Sequence, residues 1–166
     1  DVYAKRWENK KGDTGYSPAC HNEWKSGVCR KPQVKCSVCA HRAYDELTEQ
    51  VLEDHLRGKV IAGIYPLCVD ETCRFLAMDF DDVGWQRDIT TLRSVCVAFD
   101  IPIVVERSRS GNGAHAWFFF DAPIPATVAR RFGSALITCS MSRHHELSFK
   151  SYDRLFPNQD TMPKGG

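Results

Sequence analysis

Asp79 and Asp81 stand two residues apart at the end of the apolar run Phe75-Leu76-Ala77-Met78-Asp79-Phe80-Asp81-Asp82. As a strand this run alternates faces, so Phe75, Ala77, Asp79 and Asp81 share one side. Leu76, Met78 and Phe80 point to the other side and can anchor a core. Two carboxylates on one face at the exit of a buried strand offer hard oxygen ligands to a divalent cation. If two ions bind, such a site clamps both the attacking and the leaving oxygen of a phosphoryl transfer. The plainer alternative is a strand end whose acids only cap the following turn.

A second set of reactive residue types follows in Ile103-Val104-Val105-Glu106-Arg107-Ser108-Arg109-Ser110, then Gly111-Asn112-Gly113, then Ala114-His115-Ala116-Trp117-Phe118-Phe119-Phe120. Two β-rich runs around a glycine-asparagine-glycine punctuation predict a hairpin. With those middle residues as the loop, Ser110 faces Ala114, Arg109 faces His115 and Arg107 faces Trp117. The turn end then gathers the guanidiniums of Arg107 and Arg109, the hydroxyls of Ser108 and Ser110, and the His115 imidazole. Guanidinium forks with directed hydroxyl and imidazole hydrogen bonds suit phosphate. An ordinary hairpin with a solvated basic tip is the alternative, and a bulge would move one arginine to the other face.

The cysteines divide into a cluster and a scatter. Cys20, Cys29, Cys36 and Cys39 have eight, six and two residues between them. Cys36-Ser37-Val38-Cys39 has the tight spacing of many structural zinc sites, and four thiolates close a tetrahedron without help from His21 or His41. The surrounding segment is polar and turn-rich, so one structural Zn2+ would supply folding energy that a thin core cannot. Two disulfides are the rival, favoured only in a secreted protein. Cys68, Cys73, Cys96 and Cys139 sit among apolar residues and are expected to be buried thiols.

The elements that must hold these groups can be placed coarsely. Residues 1–41 read as an irregular, metal-pinned module carrying Trp7, Trp24 and a basic surface. Leu47, Val51, Leu52 and Leu56 recur at helical spacing, with Asp45 or Thr48 to cap the start and Gly58 to end it, giving a linking helix within residues 42–58. Residues 59–67 and 73–81 read as strands, 88–99 as a helix, then the hairpin. A helix from Pro125 to about Met141 and a strand from Leu147 to Asp153 complete a core over residues 59–166. Non-alternating helices and strands of this kind indicate an α+β fold, a mixed sheet with helices on one side.

At 166 residues the chain can bury one substantial core with a small appended module. No apolar run is long enough to span a bilayer and no signal-peptide pattern is present, which points to a cytoplasmic protein without a membrane partner. The chain starts at Asp1 rather than methionine and stops at Gly166 without a cap, and we read it as an excerpt of a longer protein. Net charge is only +1, but it is unevenly spread. Residues 1–41 hold eight Lys/Arg against four acids, residues 42–82 four against ten, and residues 83–166 ten against seven. A basic front and back around an acidic middle fits nucleic-acid backbone contacts flanking a metal site.

In this order, the motifs resemble those of archaeo-eukaryotic primases. An Asp-x-Asp strand end followed by a hairpin carrying Ser110-Gly111-Asn112-Gly113-Ala114-His115 is similar to their first two motifs and to a stretch in the polymerase domains of bacterial end-joining ligases. Their third motif adds an acid after a hydrophobic residue, and Tyr152-Asp153 in Ser151-Tyr152-Asp153-Arg154-Leu155-Phe156-Pro157-Asn158-Gln159-Asp160 looks like its match. The likeness extends over nearly the whole chain to the primase-polymerase component of TOTE conflict systems and to CRISPR-associated primase-polymerases.

The resemblance implies an RRM-like catalytic core preceded by the zinc module. It implies a template-dependent nucleotidyltransferase in which Asp79, Asp81 and Asp153 hold two Mg2+ or Mn2+ ions. Ser110, His115, Arg109, Ser108 and, more weakly, Arg107 would hold the phosphates of a nucleoside triphosphate. Single-stranded template and primer are the implied partners, with a fused or associated helicase or nuclease. The basic zinc module would contact template phosphate or the 5′ triphosphate of a new primer. Glu106 and Asp82 lie near the site without an assigned role, and Asp160 either supports the third motif or ends it. Two rivals share these residues: a metal-dependent nuclease, and a non-catalytic zinc module that binds nucleic acid. No lysine placed to activate a hydrolytic nucleophile stands near Asp79.

Overall fold

The computed structural model describes residues 2–81, 83–143 and 150–162. The chain forms two compact units that divide between Tyr65 and Pro66.

In the first unit, β1 (Tyr3–Glu8) and β2 (Thr14–Pro18) pair antiparallel across a polar turn. Asn9 shapes that turn by accepting the Lys11 and Asp13 N–H groups at 2.9 and 3.0 Å. The cysteine-bearing segment follows as irregular turns with one 3-10 turn at Cys36–Val38. Helix α1 (Glu49–Leu56) starts where the Thr48 side chain accepts the Val51 N–H and ends before Gly58, which takes a left-handed φ of 73°. Thr48 is one of the two caps the sequence offers, and Gly58 is the end it predicts. None of the α1 residues is buried, however, and Leu52 and Leu56 are exposed.

Strand β3 differs from expectation. Residues 59–67 were expected to form a strand of the core. Only Ala62–Ile64 does so, and it pairs with β1, giving a sheet ordered β2-β1-β3. Pro66 has no N–H with which to continue the ladder. Residues 59–65 therefore belong with the first unit, and that unit carries a sheet where irregular structure was expected.

The second unit, Pro66–Met162, holds the second sheet. Its elements are β4 (Thr72–Asp81), α2 (Trp85–Ala98), β5 (Val104–Arg107), β6 (Gly113–Pro125), α3 (Ala126–Arg143) and β7 (Tyr152–Phe156). The strands are antiparallel in the order β5-β6-β4-β7. Alternation along β4 works as the sequence predicts: Leu76, Met78 and Phe80 are fully buried. They form one core with Ala114, Ala116 and Phe118 of β6, Leu155 of β7, Leu92, Val95 and Cys96 of α2, and Ala129 and Leu136 of α3. Gly133 lets α3 lie close on this face, since a Cβ there would stand 2.8 Å from Leu76 and 3.0 Å from Leu155. Cys73 and Cys96 are buried as expected, and burial pushes the Cys96 thiol up to about 11. Cys68 and Cys139 are only half-buried.

The fold is α+β, with two antiparallel sheets and helices packed on one face of the larger. The helices start slightly away from expectation. α2 begins at Trp85, after Gly84, so Asp88, where the helix is expected to start, lies inside its first turn. Pro125 ends β6 rather than opening α3. Residues 147–149 of the expected last strand lie outside the described residues, and β7 continues to Phe156.

Candidate active site

Beyond the register shift that follows Cys73, the odd-numbered side chains of β4, from Phe75 to Asp81, lie outside the core cluster. Asp79 and Asp81 occupy its end, with Asp79 opposite His115 and Asp81 opposite Gly113. On the other flank Asp79 pairs with Arg154 and Phe80 with Tyr152, so the register slips around Asp153. Such an irregularity re-aims a side chain, and here it turns Asp153 towards the two β4 acids. Asp79, Asp81 and Asp153 each offer a carboxylate oxygen within 4.8 Å of the others. Burial raises the Asp79 carboxyl above its ordinary range, the charges of Asp81 and Asp153 push the same way, and His115 and Arg154 oppose them. Arg154 Nε donates to Asp153 Oδ2 at 2.5 Å and neutralises one acid in part. A crowd of oxygen donors that repel one another suits a hard divalent cation.

His115 stands between Asp79 and a fourth carboxylate, with Nε2 at 3.4 Å from Asp79 and Nδ1 at 3.6 Å from Glu106. Its Nδ1 is buried without a hydrogen-bond partner among the described residues. Glu106 is held in turn by the Trp117 indole N–H at 3.1 Å.

The expected hairpin register is wrong by three residues. His115 faces Glu106, not Arg109, and Arg107 faces Ala114, not Trp117. The loop is residues 108–112, closed by the Ser108 N–H donating to the Gly113 carbonyl at 2.9 Å. Gly113 belongs to the strand because a Cβ there would stand 2.4 Å from the Phe80 carbonyl and 2.8 Å from Asp81 Oδ1. Only glycine lets β6 pass so close to the acids. Within the loop, Ser108 and Ser110 hydroxyls lie 3.1 Å apart, and Ser110 accepts the Asn112 N–H. Arg107 donates twice to the Gly111 carbonyl, at 3.2 and 3.1 Å, so it braces the loop. The Arg109 guanidinium is exposed and has no partner among the described residues.

Two functional-looking residues escape the sequence reading. Ser151 Oγ donates to Asp88 Oδ2 at 2.6 Å, with both side chains buried. The Ser151 carbonyl accepts the Asp81 N–H at 2.7 Å. A latch between α2 and the start of β7 thereby fixes the backbone of Asp81 and the approach to Asp153. Helical spacing held the signal, since Asp88 shares the face of Leu92 and Val95. Asp160 has a different duty: it binds Arg130 Nε at 2.6 Å and ties the chain after β7 to α3. Asp82 lies outside the described residues.

The four clustered cysteines are free thiols, as are the other four. The Ala43 N–H donates to Cys20 Sγ at 3.4 Å, and the Tyr44 hydroxyl to the Cys36 carbonyl at 3.1 Å. Among the described residues the acid triad is the group with metal-holding spacing, and the cysteines do not meet that spacing.

The larger sheet thus carries three converging acids and a histidine on one face and its helices on the other. The family model for the TOTE conflict system, Archaeo-Eukaryotic Primase domain, matches residues 1–166, and the chain belongs to that family. No curated protein matches it. Among the described residues no helix is long and apolar enough to cross a membrane.

Proposed function

We propose that this domain is a template-dependent nucleotidyltransferase, a DNA or RNA primase-polymerase acting within a conflict system. The observation that carries the reading is the convergence of Asp79, Asp81 and Asp153 within 4.8 Å, with His115 in register beside Asp79. The three carboxylates would hold Mg2+ or Mn2+, which prefer oxygen donors. A pair of such ions, when bound, lowers the pKa of an attacking 3′-hydroxyl and neutralises the pyrophosphate leaving group. The remaining work falls to the chain's own side chains. His115 and the Ser108 and Ser110 hydroxyls would direct hydrogen bonds at the nucleotide's phosphates. Arg109, exposed and without a partner among the described residues, is the guanidinium best able to meet a triphosphate. Arg107 would act mainly by keeping the loop in shape. One structural Zn2+ on Cys20, Cys29, Cys36 and Cys39 would need these thiols to draw closer than they stand here; so held, it would brace residues 1–41, whose basic surface would contact the strand being copied.

Incubation with labelled nucleotides, primed template and Mn2+ tests this reading. Primer extension is expected. Asp79→Ala or Asp81→Ala should abolish it while the melting curve stays that of a folded protein, since a lost ligand removes about 3 kcal/mol or more of transition-state stabilisation. Primer degradation would instead assign the site to hydrolysis, and binding without turnover would make the domain a non-catalytic module.

A further inference from the structure

Beside the acids, the open face of the larger sheet carries a strip of aromatic rings outside the core cluster. Trp117 and Phe119 follow His115 at alternate positions on β6, and Phe75 stands opposite Phe119 on β4. The Trp117 and Phe119 rings are parallel to within 4°, with centroids 6.2 Å apart. Phe75 touches both, at 5.5 and 6.5 Å between centroids. Trp117 in turn meets the His115 ring edge-on at 6.2 Å. None of the three aromatic side chains belongs to the core cluster or packs against it. Phe119 is 65% exposed, so its burial contributes little to stability.

We propose that this strip is a stacking platform for the bases of single-stranded nucleic acid leading to the carboxylates. The inference rests on the nucleotidyltransferase reading and adds the surface along which the strand runs. Its occupant is set by continuity: His115, Trp117 and Phe119 are successive same-face positions, so a strand reacting at Asp79 and bound along β6 crosses these rings next. Every base presents a π-face, and open sheet faces with two or three aromatic rings bind successive unpaired bases in this way. An apolar protein partner would meet a poorer surface. The strip is only three rings wide, and the Glu106 carboxylate that holds the Trp117 indole borders it.

Fluorescence anisotropy of a short fluorescein-labelled oligothymidylate, titrated with the full chain without added nucleotide or divalent ion, tests the platform. Trp117→Ala and Phe119→Ala should each weaken binding about tenfold, and Trp117→Phe, which keeps a ring, should stay within about threefold of the parent. An abasic oligonucleotide of equal length should bind parent and variants alike. Unchanged affinity in Phe119→Ala and Trp117→Ala would overturn the proposal, as would equal losses with the abasic probe. Phe119→Ala keeps the test decisive if Trp117→Ala fails to fold. A parent that extends no primer, yet loses oligothymidylate binding in these variants, would defeat the nucleotidyltransferase reading and leave the platform standing.

Discussion

Burial and the neighbouring charges of Asp81 and Asp153 hold the Asp79 carboxyl above the usual aspartate range. A folded-state pKa above the unfolded one means that the folded chain binds the proton more tightly. Stability from this group is therefore present at low pH and is lost as pH rises through the raised value. Above that raised value and without divalent ions, the ionised Asp79 works against folding. Asp79→Asn should then raise the melting temperature at neutral pH, and the advantage should shrink on acidification. The same variant should lose at least about tenfold in Mn2+ affinity. A lowered neutral-pH melting temperature, followed by circular dichroism, would show that the carboxylate is not the liability described here. Under the proposed role of Asp79, function and stability pull against each other at this residue, as they commonly do at catalytic centres.

Between elements, the Asp88–Ser151 latch joins α2 to β7, and the Ser151 carbonyl holds Asp81. Ser151→Ala would leave a buried carboxylate without its donor, at a cost of about 1–3 kcal/mol. We expect a lower melting midpoint together with weaker Mn2+ binding, and Ser151→Thr should restore both in part because it keeps the hydroxyl. A stability loss with unchanged Mn2+ affinity would confine the latch to scaffolding. Local pattern made much of this level legible. Alternation in residues 75–81 separates acids from core, and Thr48 and Gly58 mark the ends of α1. Where a partner lies far along the chain, local pattern fails. The hairpin was legible but its register was not, because Gly113 is claimed by the Phe80 carbonyl and Asp81 of another strand. For the same reason β3 reads as a core strand until β1 pairs with it. Asp153 has no local signal beyond its likeness to the third primase motif, since a register slip aims it.

Across the whole chain, two units are assembled from different materials. The second has a continuous core of apolar side chains from both helices and three strands. In the first, the segment carrying Cys20, Cys29, Cys36 and Cys39 is mostly turns and has Ala19 as its buried apolar side chain. Chains that cannot bury enough surface depend on cross-links or metals. Protein prepared without chelator should carry one zinc per chain. Cys36→Ser should lose it and release residues 1–41 to proteolysis, while the second unit keeps its melting transition. Elemental analysis without zinc, or mass spectrometry finding disulfides among these cysteines, would refute the assignment.

From Phe75 to Asp81 a single strand serves two masters by the parity of its residues. Leu76, Met78 and Phe80 answer to packing, and Asp79 and Asp81 answer to chemistry. Natural drift can therefore exchange one apolar residue for another at even positions without touching the reaction. It can also retire the acids at odd positions without unfolding the domain. A descendant that had lost its enzymatic role would still look like a well-made protein, and only the odd positions of this strand would betray it.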